Sequence, residues 1–149
     1  MKRTLAILIL SASLMARACA EDLSGTPDIV SNGLNAYLKS GAKAALDIWI
    51  KGSVRESDSE TRIKFLNAMI ELETSYGKMI GWELIRVVTI TPSTRWVYGV
   101  AKFQKGPVWM SFQCYNPAGH WILPGFDLNT KASVILPPDL LSHSESPSR

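Results

Sequence analysis

The sequence predicts an α+β domain in which N-terminal helices pack on a curved four-stranded antiparallel meander. Two observations carry this. Apolar residues recur at helical spacing as far as Tyr76, and after Gly81 the texture changes to runs of β-branched and aromatic residues bounded by Pro, Gly and Asn turns. The links between those runs are too short for parallel crossovers, so consecutive strands must pair antiparallel.

The first residues read as an export leader. Lys2 and Arg3 precede an apolar stretch from Leu5 to Ala16, and Ala18-Cys19-Ala20 supplies a small-residue cleavage site before Glu21 and Asp22. The stretch falls short of the ~20 apolar residues a bilayer span needs, so no permanent membrane span is expected. Residues 1–20 are assigned as a signal peptide, placing the product in the periplasm or outside the cell. Lipid anchoring at Cys19 is the alternative, disfavoured by Arg17 in the positions before it.

Removing the leader changes the charge. Lys2, Arg3 and Arg17 account for the whole formal charge of +3, and no acid precedes Glu21. The mature domain is therefore neutral. It has neither a basic cluster with interleaved aromatics nor a run of like charge, which argues against nucleic acid and anionic membranes. Roughly 130 residues remain, enough for one domain with a real core. Cys114 would be its one cysteine, so no internal disulfide can form. Structural zinc typically takes four Cys or His ligands, and the mature domain would have two histidines and one cysteine, so no metal or cofactor is expected.

Each element has a local reason. Thr26-Pro27-Asp28 is a helix start, followed by Val30, Leu34, Tyr37 and Leu38 on one face and Gly41 as a stop. A second helix covers Ala42 to Ile50, with Ala45, Leu46, Trp49 and Ile50 apolar. Residues 55–60 are polar and read as a loop. Ser57 and Glu60 have capping-box spacing for a third helix ending at Tyr76–Gly77. Its apolar residues, Phe65, Met69, Leu72 and Tyr76 with Ile63, Leu66 and Ile70 beside them, form a stripe wide enough to cover a sheet.

Strands follow at Trp82–Thr91, Arg95–Gln104, Val108–Tyr115 and His120–Asn129. Val134–Leu136 reads as a short edge segment. The single domain is bounded at residues 21–137, and residues 138–149 read as a polar, disordered tail. Pro124-Gly125 interrupts the fourth strand. One inserted residue there, a bulge, would return Trp121 and Leu123 to the same face as Phe126 and Leu128.

This order of elements, the aromatic-rich strand Trp109-Met110-Ser111-Phe112-Gln113-Cys114-Tyr115, and the ending from His120 to Asn129 resemble small exported proteins of the cystatin-like and nuclear-transport-factor-like superfamily. The resemblance spans Pro27 to Leu136. It implies a sheet curved around a long helix with an apolar conical cavity, used by relatives as an isomerase or dehydratase site or as a ligand pocket. It also implies homodimers through an open sheet face. The chain departs from the pattern in having no strand between its second and third helices.

Alternation sorts the candidate functional residues. On the third strand Val108, Met110, Phe112 and Cys114 share a buried face. Trp109, Gln113 and Tyr115 share the opposite one, a candidate interface. Arg86 falls with Trp82, Leu84, Val88 and Ile90, where it would grip a ligand carboxylate or pair with Glu83 or Asp127. Trp96 and Tyr98 share a face of the second strand. Arg86, Tyr98, Trp96 and Cys114 are the candidate ligand-binding residues, for a small apolar ligand. His120 and Asp127 lie ~23 Å apart along an extended strand, too far for an acid–base dyad. No catalytic residue is assigned. The expected function is a non-enzymatic ligand-binding or protein-interaction module. A lyase or isomerase would need Arg86, Tyr98, His120 or Asp127 to converge inside the cavity, and a structural subunit of an envelope complex would have a partner and no pocket.

Overall fold

The computed structural model describes residues 23–142, so the leader, Cys19 and the tail from residue 143 lie outside it. Three helices, α1 (Asp28–Ser40), α2 (Ala42–Trp49) and α3 (Ser59–Tyr76), precede four strands, β1 (Met79–Thr91), β2 (Thr94–Phe103), β3 (Gly106–Tyr115) and β4 (Ile122–Asn129). Two short helices, α4 (Ala132–Ile135) and α5 (Pro138–Ser142), follow. The strands form one open antiparallel sheet in sequence order, β1-β2-β3-β4. The fold is α+β, as the sequence predicts. No helix among the described residues is long and apolar enough to cross a membrane.

The core forms where α1 and α2 meet the inner sheet face. Val30, Leu34 and Tyr37 of α1 and Ala45 and Trp49 of α2 pack on Val97, Ala101, Val108, Met110, Phe112 and Cys114. The inner face of β3 is the one the alternation gives, and in β2 it is the face of Val97, Ala101 and Phe103 that turns inward, opposite Trp96 and Tyr98. Trp49 anchors this layer. Its indole is 1% exposed, with ring centroids 5.3 Å from Phe112 and 5.1 Å from Phe126. Gly33 makes that packing possible, because a β-carbon there would overlap the Trp49 indole nitrogen.

Several expectations change. α3 is capped by Asp58, not Ser57: the Thr61 N–H donates to Asp58 Oδ1 at 3.0 Å. Asp58 sits one residue nearer the first turn, and its carboxylate takes both the Thr61 N–H and the Thr61 hydroxyl in place of the Ser57–Glu60 box. Only Met69 of α3 is buried, while Ile63 and Ile70 are 58% and 63% exposed, so the wide stripe is only partly covered. β1 begins at Met79, earlier than Trp82, and Met79 joins the core. A register shift between Leu84 and Arg86 places Leu84 opposite Gly99 but Arg86 opposite Tyr98. Arg86 is therefore on the outer face, not with Trp82 and Leu84. Gly99 fits this irregular pairing because a β-carbon there would come within 2.9 Å of the Glu83 carbonyl oxygen.

In β4 the expected bulge is present. The pairing steps from Gln113–Gly125 to Tyr115–Ile122, and Leu123, Trp121, Phe126 and Leu128 all belong to the inner cluster. His120 precedes the strand and is exposed. The C-terminal part is a correction. Residues 132–135 are helical rather than an edge strand, and residues 138–142, assigned to a disordered tail, form α5. Pro138 stands at the first position of α5, where a missing N–H costs nothing.

Candidate functional site

The predicted site residues divide between the two sheet faces. Trp96, Tyr98 and Arg86 lie on the outer face and Cys114 on the inner one, so the four do not line a common cavity. Trp96 and Tyr98 stack with ring centroids 6.0 Å apart. Arg86 pairs with Asp139 of α5, while Glu83 takes Lys102 at 2.6 Å. Neither Glu83 nor Asp127 is its carboxylate partner. The partner sits in a segment that composition alone marks as tail. The Arg86 hydrogen bond holds the Asp139 carboxyl below its usual range, and burial raises the Tyr98 phenol.

The outer face is not open. α4 packs on β3 and β4, Asp139 reaches across to Arg86, and Leu136 is buried. Ser111 is only 3% exposed although it faces outward between Trp109 and Gln113. Of the candidate interface residues, Trp109 and Gln113 are half-buried and Tyr115 is exposed. The C-terminal segment thus occupies part of the surface assigned to a partner.

Cys114 is 1% exposed, and burial pushes its thiol up to about 12, against a small opposing pull from Arg95. A thiol held neutral is a poor nucleophile. Arg95, which the sequence reading passes over, stands opposite Cys114 in the register, lies 4.8 Å over the Trp121 ring and donates to the Gly25 carbonyl. These contacts tie the N-terminal entry of the domain to the sheet. His120 and Asp127 are both exposed and separated by most of β4. Arg86, Tyr98 and Asp127 fall in one cross-strand row on the outer face, with Ser111 between Tyr98 and Asp127, but His120 lies beyond the far end of β4 and the four share no cavity.

The cavity lies elsewhere. An open groove of about 430 Å³ runs between α3 and the β3–β4 side of the sheet. Phe65, Ala68, Met69 and Leu72 form its helical wall, and Val108, Phe126 and Leu128 its floor. Asp127, Asn129 and Thr130 complete it, so five consecutive residues from Phe126 to Thr130 border it. Its origin is the thin packing of α3. The helix touches the sheet mainly through Met69 and the edge-to-face Phe65–Phe126 pair, with centroids 5.1 Å apart. Tyr37 OH donates to Glu73 Oε1 at 2.5 Å and ties α3 to α1. Burial raises the Tyr37 phenol far above its usual range, reinforced by the Glu73 carboxylate. The sequence signal for the groove was the i, i+4, i+7 set of Phe65, Met69 and Leu72, read as core rather than as a wall.

No group of three or more His, Cys, Asp or Glu side chains placed to hold a metal occurs among the described residues. No family model, curated protein or solved structure matches the chain.

Proposed function

We propose that the protein is an exported, non-enzymatic binding module that takes an apolar group in the groove between α3 and β4. The observation that carries this reading is the groove itself. Its volume of about 430 Å³ falls in the range of ligand sites, roughly 300–1,000 Å³, and its walls are apolar with a few polar groups at one border. Export rests on the leader pattern of residues 1–20. The element order supports grouping the domain with cystatin-like and nuclear-transport-factor-like proteins, whose cavities bind ligands. The lyase or isomerase alternative loses support because Arg86, Tyr98 and His120 do not line the groove and Asp127 alone borders it, and the envelope-subunit alternative because a groove is present.

The test is titration with the neutral fluorophore N-phenylnaphthylamine. Ala68 borders the groove from an exposed helix position, so A68W fills the space without disturbing the core. The wild type should enhance the dye's emission saturably, and A68W should weaken binding by at least about tenfold, or ~1.4 kcal/mol, at unchanged Tm. Absence of saturable binding, or equal binding by A68W, would sink the groove reading.

A further inference from the structure

We infer that the groove's ligand is an extended polypeptide, which adds to β4 as a fifth strand and seats its alternate apolar side chains between α3 and the sheet. This rests on the groove reading above and names the chemistry of the ligand. β4 is an edge strand, and antiparallel geometry turns every second pair of its backbone N–H and C=O groups away from β3. Such edges are normally blunted. In β4 the blunting is confined to the first half, where the strand is bulged, Pro124 lacks an N–H, and Arg55 Nε donates to the Pro124 carbonyl at 3.0 Å. Beyond Gly125 the register with β3 is regular, and no element among the described residues pairs with the outer edge. That free stretch is the one that borders the groove. Helix wall, apolar floor and unpaired strand edge together form the arrangement that strand addition uses: main-chain hydrogen bonds for affinity and a pocket for alternate side chains.

Charge selects the occupant. Asp127 stands opposite Ser111 on the outer face, is exposed, and has no ionic or hydrogen-bond partner among the described residues. The groove border carries this one acid and no base. An added strand therefore gains from a basic residue opposite Asp127, with apolar neighbours on either side opposite Phe126 and Leu128. A second copy of the chain fits less well. Antiparallel addition overlapping residues 126–130 would set Leu128 against Leu128 and Asp127 against Asn129, leaving the acid without a basic partner.

The probe is a fluorescein-labelled heptapeptide with a valine–arginine–leucine centre flanked by serine and threonine, titrated into the full chain by anisotropy. Saturable binding that displaces N-phenylnaphthylamine is expected. N-methylation should abolish binding at alternate peptide positions and be tolerated at those between. D127K should weaken this peptide about fivefold and strengthen its glutamate counterpart about as much. Dye binding without peptide binding, or N-methylation tolerated at every position, would overturn strand addition and leave the groove reading standing. Loss of both dye and peptide binding would remove both. A concentration-dependent dimer in sedimentation whose formation excludes the peptide would assign the edge to a second copy and overturn the proposal.

Discussion

α1 and α2 hide Val30, Leu34, Tyr37, Ala45, Leu46 and Trp49 from solvent, whereas α3, longer than either, hides Met69 alone. The contrast arises from side-chain size at the contact. Gly33 lets α1 and Trp49 close to touching distance, and the indole then fills the space above Phe112 and Phe126. α3 presents Phe65, Met69 and Leu72 to the sheet with Ala68 at the groove, and none of these is a glycine that would let its backbone approach as closely. One end of the helical layer supplies stability, and the other stands off far enough to leave a groove. A fold this small can keep an open apolar site because its core is concentrated elsewhere.

The largest test of this division is W49A. Truncating an indole buried against three phenylalanines should cost about 3–5 kcal/mol in urea unfolding and weaken both halves together. G33A comes next. It should cost about 1–3 kcal/mol by overpacking, while leaving dye binding in the groove within about twofold. If G33A abolished dye binding at a concentration where the protein is folded, the two ends would not be independent.

Y37F addresses the tie between the halves. Loss of its hydrogen bond to Glu73 should cost about 1 kcal/mol and speed amide exchange in α3 more than in α1. Because the folded protein raises the Tyr37 phenol, the bond's contribution is complete below the ordinary tyrosine value of about 10 and is lost as pH rises beyond it. The stability gap between wild type and Y37F should narrow above that pH. A gap that widens there would contradict the assignment of the bond. The smallest effect is expected from D139N, at the more exposed end of an ion pair. Tm should not change, yet residues 132–142 should exchange faster and Trp96 fluorescence should shift as α5 loosens.

Much of this was legible in sequence where alternation is strong. β3 carries large apolar residues on one face and polar or mixed residues on the other, so its faces follow directly, whereas β2 has Val97 and Phe103 on one face and Trp96, Tyr98 and Val100 on the other, and its pattern does not say which turns inward. The β4 bulge showed because Trp121 and Leu123 fall out of phase with Phe126 and Leu128. In β1 the same device left no trace. Both faces are apolar there, so a slip between Leu84 and Arg86 changes nothing in the pattern and moves Arg86 unseen to the outer face. α4 and α5 are shorter than the period that would reveal them, and Pro137-Pro138 reads as a stop although Pro138 opens a helix. The groove escaped for a different reason. Spacing shows which residues of α3 face the sheet, but not how far from it the helix rests.

The β4 bulge also sets how this chain can change length. Its side-chain phase depends on one residue more than the partner strand supplies, so deleting a single position between Trp121 and Phe126 would turn Trp121 and Leu123 toward solvent with almost no change in composition. Residues 116–120, exposed in the turn before β4, carry no such constraint. Lineages of this protein should therefore gain and lose residues freely at 116–120 and keep an invariant count from 121 to 126, even where every letter in that interval is replaced.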